Sequence, residues 1–307
     1  MTYPTLRLFA LSAITLCSMS TTNLPALAQE PKSYIDFRNQ TVTLPLGAAS
    51  FADRVVVHKQ GTKAPKKTEA DPRNALGEPD YKKAGDGKAF TLGCRGQATF
   101  EFTDNALVDV PGPDLHVFEV GRDVEPTRIE LSKDGVNWTS IGEISGGRTS
   151  VDIAKYGLAG QDFRFVRVTD LGKYCGGGWP GADIDAIAAV GSATRLMISG
   201  NVLFDFDKSV LRPGASAALE ELVAKLKDLK VTGVKVVGHT DAKGSDSYNL
   251  ALSRKRAKSV SDYLQRALPE LAATITWEGR GEREPVADNA SELGRQKNRR
   301  VEIIVNR

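Results

Sequence analysis

"VVGHTDAKGSDSYNLALSRKRAKSV", residues 236–260, ends an apolar run near an acid, turns through a glycine, and continues as an amphipathic stretch with an arginine fifteen positions beyond that acid. "GVKVVGH" (233–239) reads as a strand and "SYNLALSRKRAKSVSDYLQRAL" (247–268) as a helix, so Asp241 falls at the lip of a sheet. Asn249, Ser253 and Arg256 stand at i, i+4 and i+7 and share one helical face. Asp241 and Arg256 can then bracket one groove. A carboxylate accepts from an ammonium, and a guanidinium holds a carboxylate by two parallel bonds, so the pair suits a small zwitterion. On spacing alone, the commoner fate of such residues is solvation or mutual pairing.

The flanking sequence extends this pattern. "SAALEELVAKLKDL" (216–229) carries an apolar stripe of Ala218, Leu219, Leu222, Val223, Leu226 and Leu229 behind Pro213 and Gly214, as a helix does. "RLMISGNVLFDFD" (195–207) reads as extended, and "ATITWEGRG" (273–281) and "RRVEIIVNR" (299–307) as strands. With a further helix before the last strand, the order is β-α-β-α-β-α-β, an α/β sandwich over 197–307, beginning after a boundary near "GSATR" (191–195).

"NVLFDFDKSVL" (201–211), "GHTDAKGSDSYNLALSRKRAKSV" (238–260), "GRGEREPVADN" (279–289) and "GRQKNRRVEI" (294–303) together resemble the OmpA-like C-terminal domain family. That resemblance implies non-covalent binding of peptidoglycan through the diaminopimelate residue of its stem peptide. Matched to the family's motif, Asp241 takes the ammonium and Arg256 the carboxylate. Phe206 and Asp207 line the same groove, with Asn249 and Leu252 beside them. Arg299 and Arg300 alternate on a strand, so one is expected to brace the site and the other to face water. Arg254, Lys255 and Lys258 read as a solvated face.

A chain of 307 residues is long for one core, and the stretch 30–190 has a different texture. Short alternating runs at 53–59, 97–104, 114–121, 127–145, 162–170 and 182–190, punctuated by Gly and Pro turns, predict an all-β sandwich. "RIELSKDGVNWTSIGEI", "DFRFVRVTD" and "GADIDAIAAV" resemble the discoidin or galactose-binding-like jelly-roll superfamily over about 85–190. This implies a binding module, often carrying calcium, for glycans or proteins. Candidate calcium ligands are Asp109, Asp114, Glu119, Asp183 and Asp185, which read equally well as loop-capping acids. Trp138 reads as a core plug, Trp179 as an exposed stacking surface. The Lys-rich loop of 59–83 reads as solvated.

Residues 1–28 read as a secretory signal peptide: Arg7, an apolar core at 8–20, and "ALA" before Gln29. That core is too short for a membrane anchor, and Leu16 before Cys17 is unsuited to lipidation. The remaining cysteines, Cys94 and Cys175, are then expected to form a disulfide in an oxidising compartment. Loop-closure entropy sets about 4.5 kcal/mol as the upper bound on its contribution. A formal charge of +3 gives no case for nucleic acid or an anionic membrane. Three histidines without zinc spacing and no phosphate-binding loop point away from an enzyme. The expectation is an exported, periplasmic protein of the cell wall and outer membrane, with no required cofactor. The alternatives are a secreted lectin-like protein and a wall-acting hydrolase with its chemistry in the β-domain.

Overall fold

The computed structural model describes residues 30–121, 124–229 and 231–307. The signal peptide expected over 1–28 lies outside the described residues. The chain opens with a hairpin of β1 (Lys32–Ile35) and β2 (Thr41–Leu44), then β3 (Arg54–Lys59), β4 (Phe90–Thr91), β5 (Gln97–Glu101) and β6 (Asn105–Val108). β7 (Leu115–Glu119), β8 (Thr127–Ser132), β9 (Thr139–Ile144), β10 (Ser150–Val151), β11 (Asp162–Phe163), β12 (Phe165–Asp170) and β13 (Asp183–Ala189) follow. β14 (Ser192–Ser199) leads into α1 (Gly200–Leu203), α2 (Ser216–Asp228), β15 (Gly233–His239), α3 (Asp246–Ala267), β16 (Ile275–Gly281), α4 (Glu292–Asn298) and β17 (Arg300–Asn306).

The N-terminal half is largely β. A four-stranded sheet, β10-β7-β13-β4, and a five-stranded one, β3-β5-β12-β8-β9, are both antiparallel. They share one core: Phe90, Val117, Ile184 and Ile187 from the first sheet meet Phe100, Ile129, Ile141 and Val168 from the second. The alternation of the sequence is what makes this possible, because every second side chain on a strand faces the same layer. Cys94 and Cys175 are joined as a disulfide, with their Cα atoms 5.1 Å apart.

The C-terminal half has the expected α/β order. β15 and β16 pair in parallel with α3 as their crossover, and β17 runs antiparallel between β15 and β14. Leu219, Leu222 and Leu226 of α2 and Ala257, Val260 and Leu264 of α3 cover Val236, Val301 and Ile303 of the sheet. The extended reading of 195–207 holds only to Ser199, after which 200–203 forms a helical turn. Gly200 passes so close to Arg299 that a Cβ would lie 2.9 Å from its carbonyl oxygen, and its own N–H donates to that oxygen.

The boundary stretch 191–195 is not a linker. β14 begins at Ser192 and pairs on one edge with β6 and on the other with β17, so one six-stranded sheet, β11-β6-β14-β17-β15-β16, runs through both halves. Gly191 permits the close approach: a Cβ there would stand 2.0 Å from the Val108 carbonyl oxygen. Buried charges close the seam. Asp162 of β11 pairs with Arg280 at 2.7 Å and Lys235 at 2.9 Å, and Arg195 of β14 pairs with Glu302 at 2.9 Å while donating to the Phe102 carbonyl. Burial opposes ionisation of Asp162, but the two cations outweigh it and hold its carboxyl well below the usual range.

Candidate functional site

β15 delivers Asp241 to the sheet lip, where it is 6% exposed. Its Oδ1 accepts from the Lys243 N–H at 3.0 Å, and its Oδ2 takes Nη1 of Arg299 at 2.5 Å. Arg299 reaches on through Nη2 to Glu292, 2.7 Å away. Arg299 is therefore the brace. Arg300 does not face water: β17 is an interior strand of the six-stranded sheet, and Arg300 is 4% exposed with Nε 2.7 Å from Glu302 Oε1. Arg254, Lys255 and Lys258 are exposed, with Lys258 paired to Asp262. His239 is buried beside Glu302, 3.6 Å away.

Ser245 caps α3 by accepting from the Tyr248 N–H. Asn249, on the first turn, donates its amide to the carbonyls of Asp241 and Lys243, at 3.2 and 3.0 Å, and to Glu282. Its side chain holds the loop in shape. Two turns further on, Arg256 is also 6% exposed; its Nε donates to the Lys208 carbonyl at 2.9 Å, and its guanidinium lies 5.2 Å over the Phe204 ring. Among the described residues no carboxylate stands within ion-pair distance of it. Burial lowers its pKa, against the opposing pull of Asp207 and Asp241.

Asp207 is exposed, with φ of 59°, and accepts from the Tyr248 hydroxyl. Phe206 next to it is 88% exposed, and Leu252 is half-buried. Tyr248 was not among the residues expected here. Its signal was present, since Tyr248, Leu252 and Arg256 stand at i, i+4 and i+8 on one stripe.

Of the five acids proposed for calcium, two come together and three stand elsewhere. Asp109 and Asp114 lie with Asp152, their carboxylate oxygens within 4.8 Å of one another. Both oxygens of Asp114 already accept backbone N–H groups, from Val110 and Ile153, and burial lifts its pKa to about 6. Glu119 is buried against Glu125, and that burial together with the neighbouring carboxyl lifts it to about 10. Asp183 accepts from the Thr91 hydroxyl and is lifted by burial to about 7; Asp185 accepts from the N–H groups of Asp80 and Tyr81. Among the described residues, Glu119, Asp183 and Asp185 join no three-ligand set. Trp138 is part-buried under Arg167, with its indole N–H on the Gly135 carbonyl. Trp179 lines a cleft of about 510 Å³ beside Cys175 and Asp183, with the Lys66 ammonium over its ring at 4.1 Å.

Comparison with known proteins bears on the C-terminal half. Residues 203–299 match the OmpA family. Outer membrane porin F of Pseudomonas fluorescens is 45% identical over 105 residues, which is 34% of this chain and 32% of that protein. Outer membrane protein A of Bordetella avium is 36% identical over 113 residues, 37% of this chain and 58% of that protein. The chain thus spans between a third and somewhat over half of these relatives. Among solved structures, the cell wall anchor of the T6SS from Pseudomonas aeruginosa is 36% identical, with 37% of this chain and 81% of that one covered and a TM-score of 0.35. The peptidoglycan-associated lipoprotein from Burkholderia pseudomallei is 30% identical, with 34% and 88% covered and a TM-score of 0.31. No helix among the described residues is long and apolar enough to cross a membrane.

Proposed function

We propose that this protein, whose residues 203–299 are an OmpA family domain, binds peptidoglycan non-covalently and without catalysis, through the diaminopimelate residue of the stem peptide. The observation that carries the reading is Arg256. Its guanidinium is almost buried, yet only a carbonyl and a ring attend it, and its two terminal nitrogens make no hydrogen bond among the described residues. A desolvated cation in that state gains more from an anion than a solvated one does. Asp241, fixed by Arg299 and the Lys243 N–H, supplies the acceptor for an ammonium. Diaminopimelate ends in both groups. Phe206, Asp207 and Leu252 form the wall of the groove, and Asn249 keeps the Asp241 loop in place.

The setting that fits is the periplasm, at the cell wall and outer membrane, reached through the leader at 1–28. Two relatives named for the outer membrane support it. In the same reading, residues 30–190 are a jelly-roll sandwich offering a second surface to a glycan or an envelope protein, and the two antiparallel sheets around one core support that arrangement. Co-sedimentation with purified diaminopimelate-type sacculi tests the wall-binding claim. Wild type is expected in the pellet, and Asp241→Ala and Arg256→Ala in the supernatant; equal sedimentation of all three ends the reading.

A further inference from the structure

A cleft of about 460 Å³ opens where the two halves meet. The β-domain contributes Ser132, Lys133, Asn137 and Phe163, and the C-terminal half contributes Arg283 and Glu284. We propose that this junction cleft is a second anion site, built around Lys133, that takes a carboxylate of the same stem peptide whose diaminopimelate occupies the Asp241–Arg256 groove. The inference rests on the wall-binding reading above and extends it to the β-domain.

The charged groups of the cleft differ in how they are held. Its acids are already engaged: Asp134 accepts from the N–H groups of Val136 and Asn137 and from the Ser132 hydroxyl, and Glu284 pairs with Arg280 at 2.8 Å. Its lysine is not. Lys133 is half-buried, its ammonium lies 5.6 Å over the Phe163 ring, and no carboxylate among the described residues is within ion-pair distance. Burial, with Arg280 and Lys235 close by, lowers its pKa against the opposing pull of Asp162 and Glu278, so an arriving anion would favour its charged form. Arg283 adds an exposed guanidinium at the rim, 2.8 Å from Asp246 at the start of α3.

The cleft and the groove share a single short segment. Glu282 receives the amide of Asn249, which holds the Asp241 loop, and the next residue, Arg283, lines the cleft. The Asp241 loop and the lining of the cleft are thus joined through Asn249, Glu282 and Arg283. A stem peptide held by its diaminopimelate also carries its own terminal carboxylate. Phe163 and Leu131 offer that end an apolar wall.

The test uses the full mature chain with Lys133→Met, which keeps the stem and removes the charge, and Lys133→Glu. Affinity for diaminopimelate-type sacculi is expected to fall about tenfold in Lys133→Met, the loss of one charge-assisted contact, and further in Lys133→Glu. Calorimetry with free diaminopimelate should show both variants binding as wild type does. Sacculus affinity unchanged in both variants overturns the proposal, and so does a parallel loss of free diaminopimelate binding, which would mean that the groove itself was damaged. Failure of the groove reading looks different: wild type and Arg256→Ala would then sediment alike.

Discussion

The seam between the two halves and the groove at the sheet lip are both rich in buried charge, yet they differ in how that charge is answered. In the seam, Asp162, Arg195, Arg280, Arg300 and Glu302 each have an opposite charge within 3 Å. In the groove, Asp241 is paired and Arg256 is not. A closed set of buried ion pairs holds the strands of the shared sheet together and has nothing left to offer a ligand. An almost buried guanidinium with no carboxylate in ion-pair distance among the described residues adds little to the fold, and in the proposed function it is the group that takes an anion. Burial alone does not separate the two roles, because Arg256 and Arg195 are 6% and 4% exposed; pairing does.

The largest effect should come from breaking the seam. Glu302→Gln leaves Arg195 and Arg300 buried without compensation, which costs about 3–5 kcal/mol. Denaturant unfolding should show the midpoint falling sharply, and an unchanged midpoint would remove the structural role given to these charges. In the groove the expectation is reversed. Arg256→Ala should weaken sacculus binding about tenfold or more while the unfolding midpoint moves little, and a large loss of stability would place Arg256 with the seam.

A smaller effect separates the halves by pH. Burial raises Asp183 from 3.8 to about 7 in the folded β-domain, so the folded state binds that proton more tightly than the unfolded chain. Its contribution to stability is then complete below about pH 4 and is lost as pH rises through about 7. Unfolding measured across that window should show a decline that Asp183→Asn flattens; an equal slope in the variant would refute the assignment. The smallest effect is expected at Arg299. Arg299→Ala frees Asp241 without removing it, so binding should weaken only a few-fold. A loss matching that of Asp241→Ala would make Arg299 a direct contact.

Much of the C-terminal half was legible because its signals are local. The 3.6-residue stripes of α2 and α3, the strand before Asp241 and the turn after it are set within a few residues, and the structure places β15 at the residues read as a strand. Spacing alone set Arg256 and Asp241 on either side of the β15–α3 turn, and their assignment as a pair came from the resemblance of the motifs around them. Tyr248 shared the stripe of Arg256 but was missed because an aromatic on a helix face usually reads as core. The five acids read for calcium are spread by the fold: Asp109 and Asp114 come together with Asp152, while β13, which carries Asp183 and Asp185, shifts register between Ile184 and Ala186.

Sequence by itself determined the helical and strand periods, the order β-α-β-α-β-α-β, and the residue types around the turn between β15 and α3, since each depends on side chains close together in the chain. Only the tertiary structure decided that β6 would pair with β14, that Arg299 and not Arg300 would brace Asp241, and that Arg256 would have no carboxylate in ion-pair distance among the described residues. Those outcomes depend on which groups meet across some seventy residues or more in the seam, and about sixty at the brace, and on which of them find an opposite charge once water is excluded.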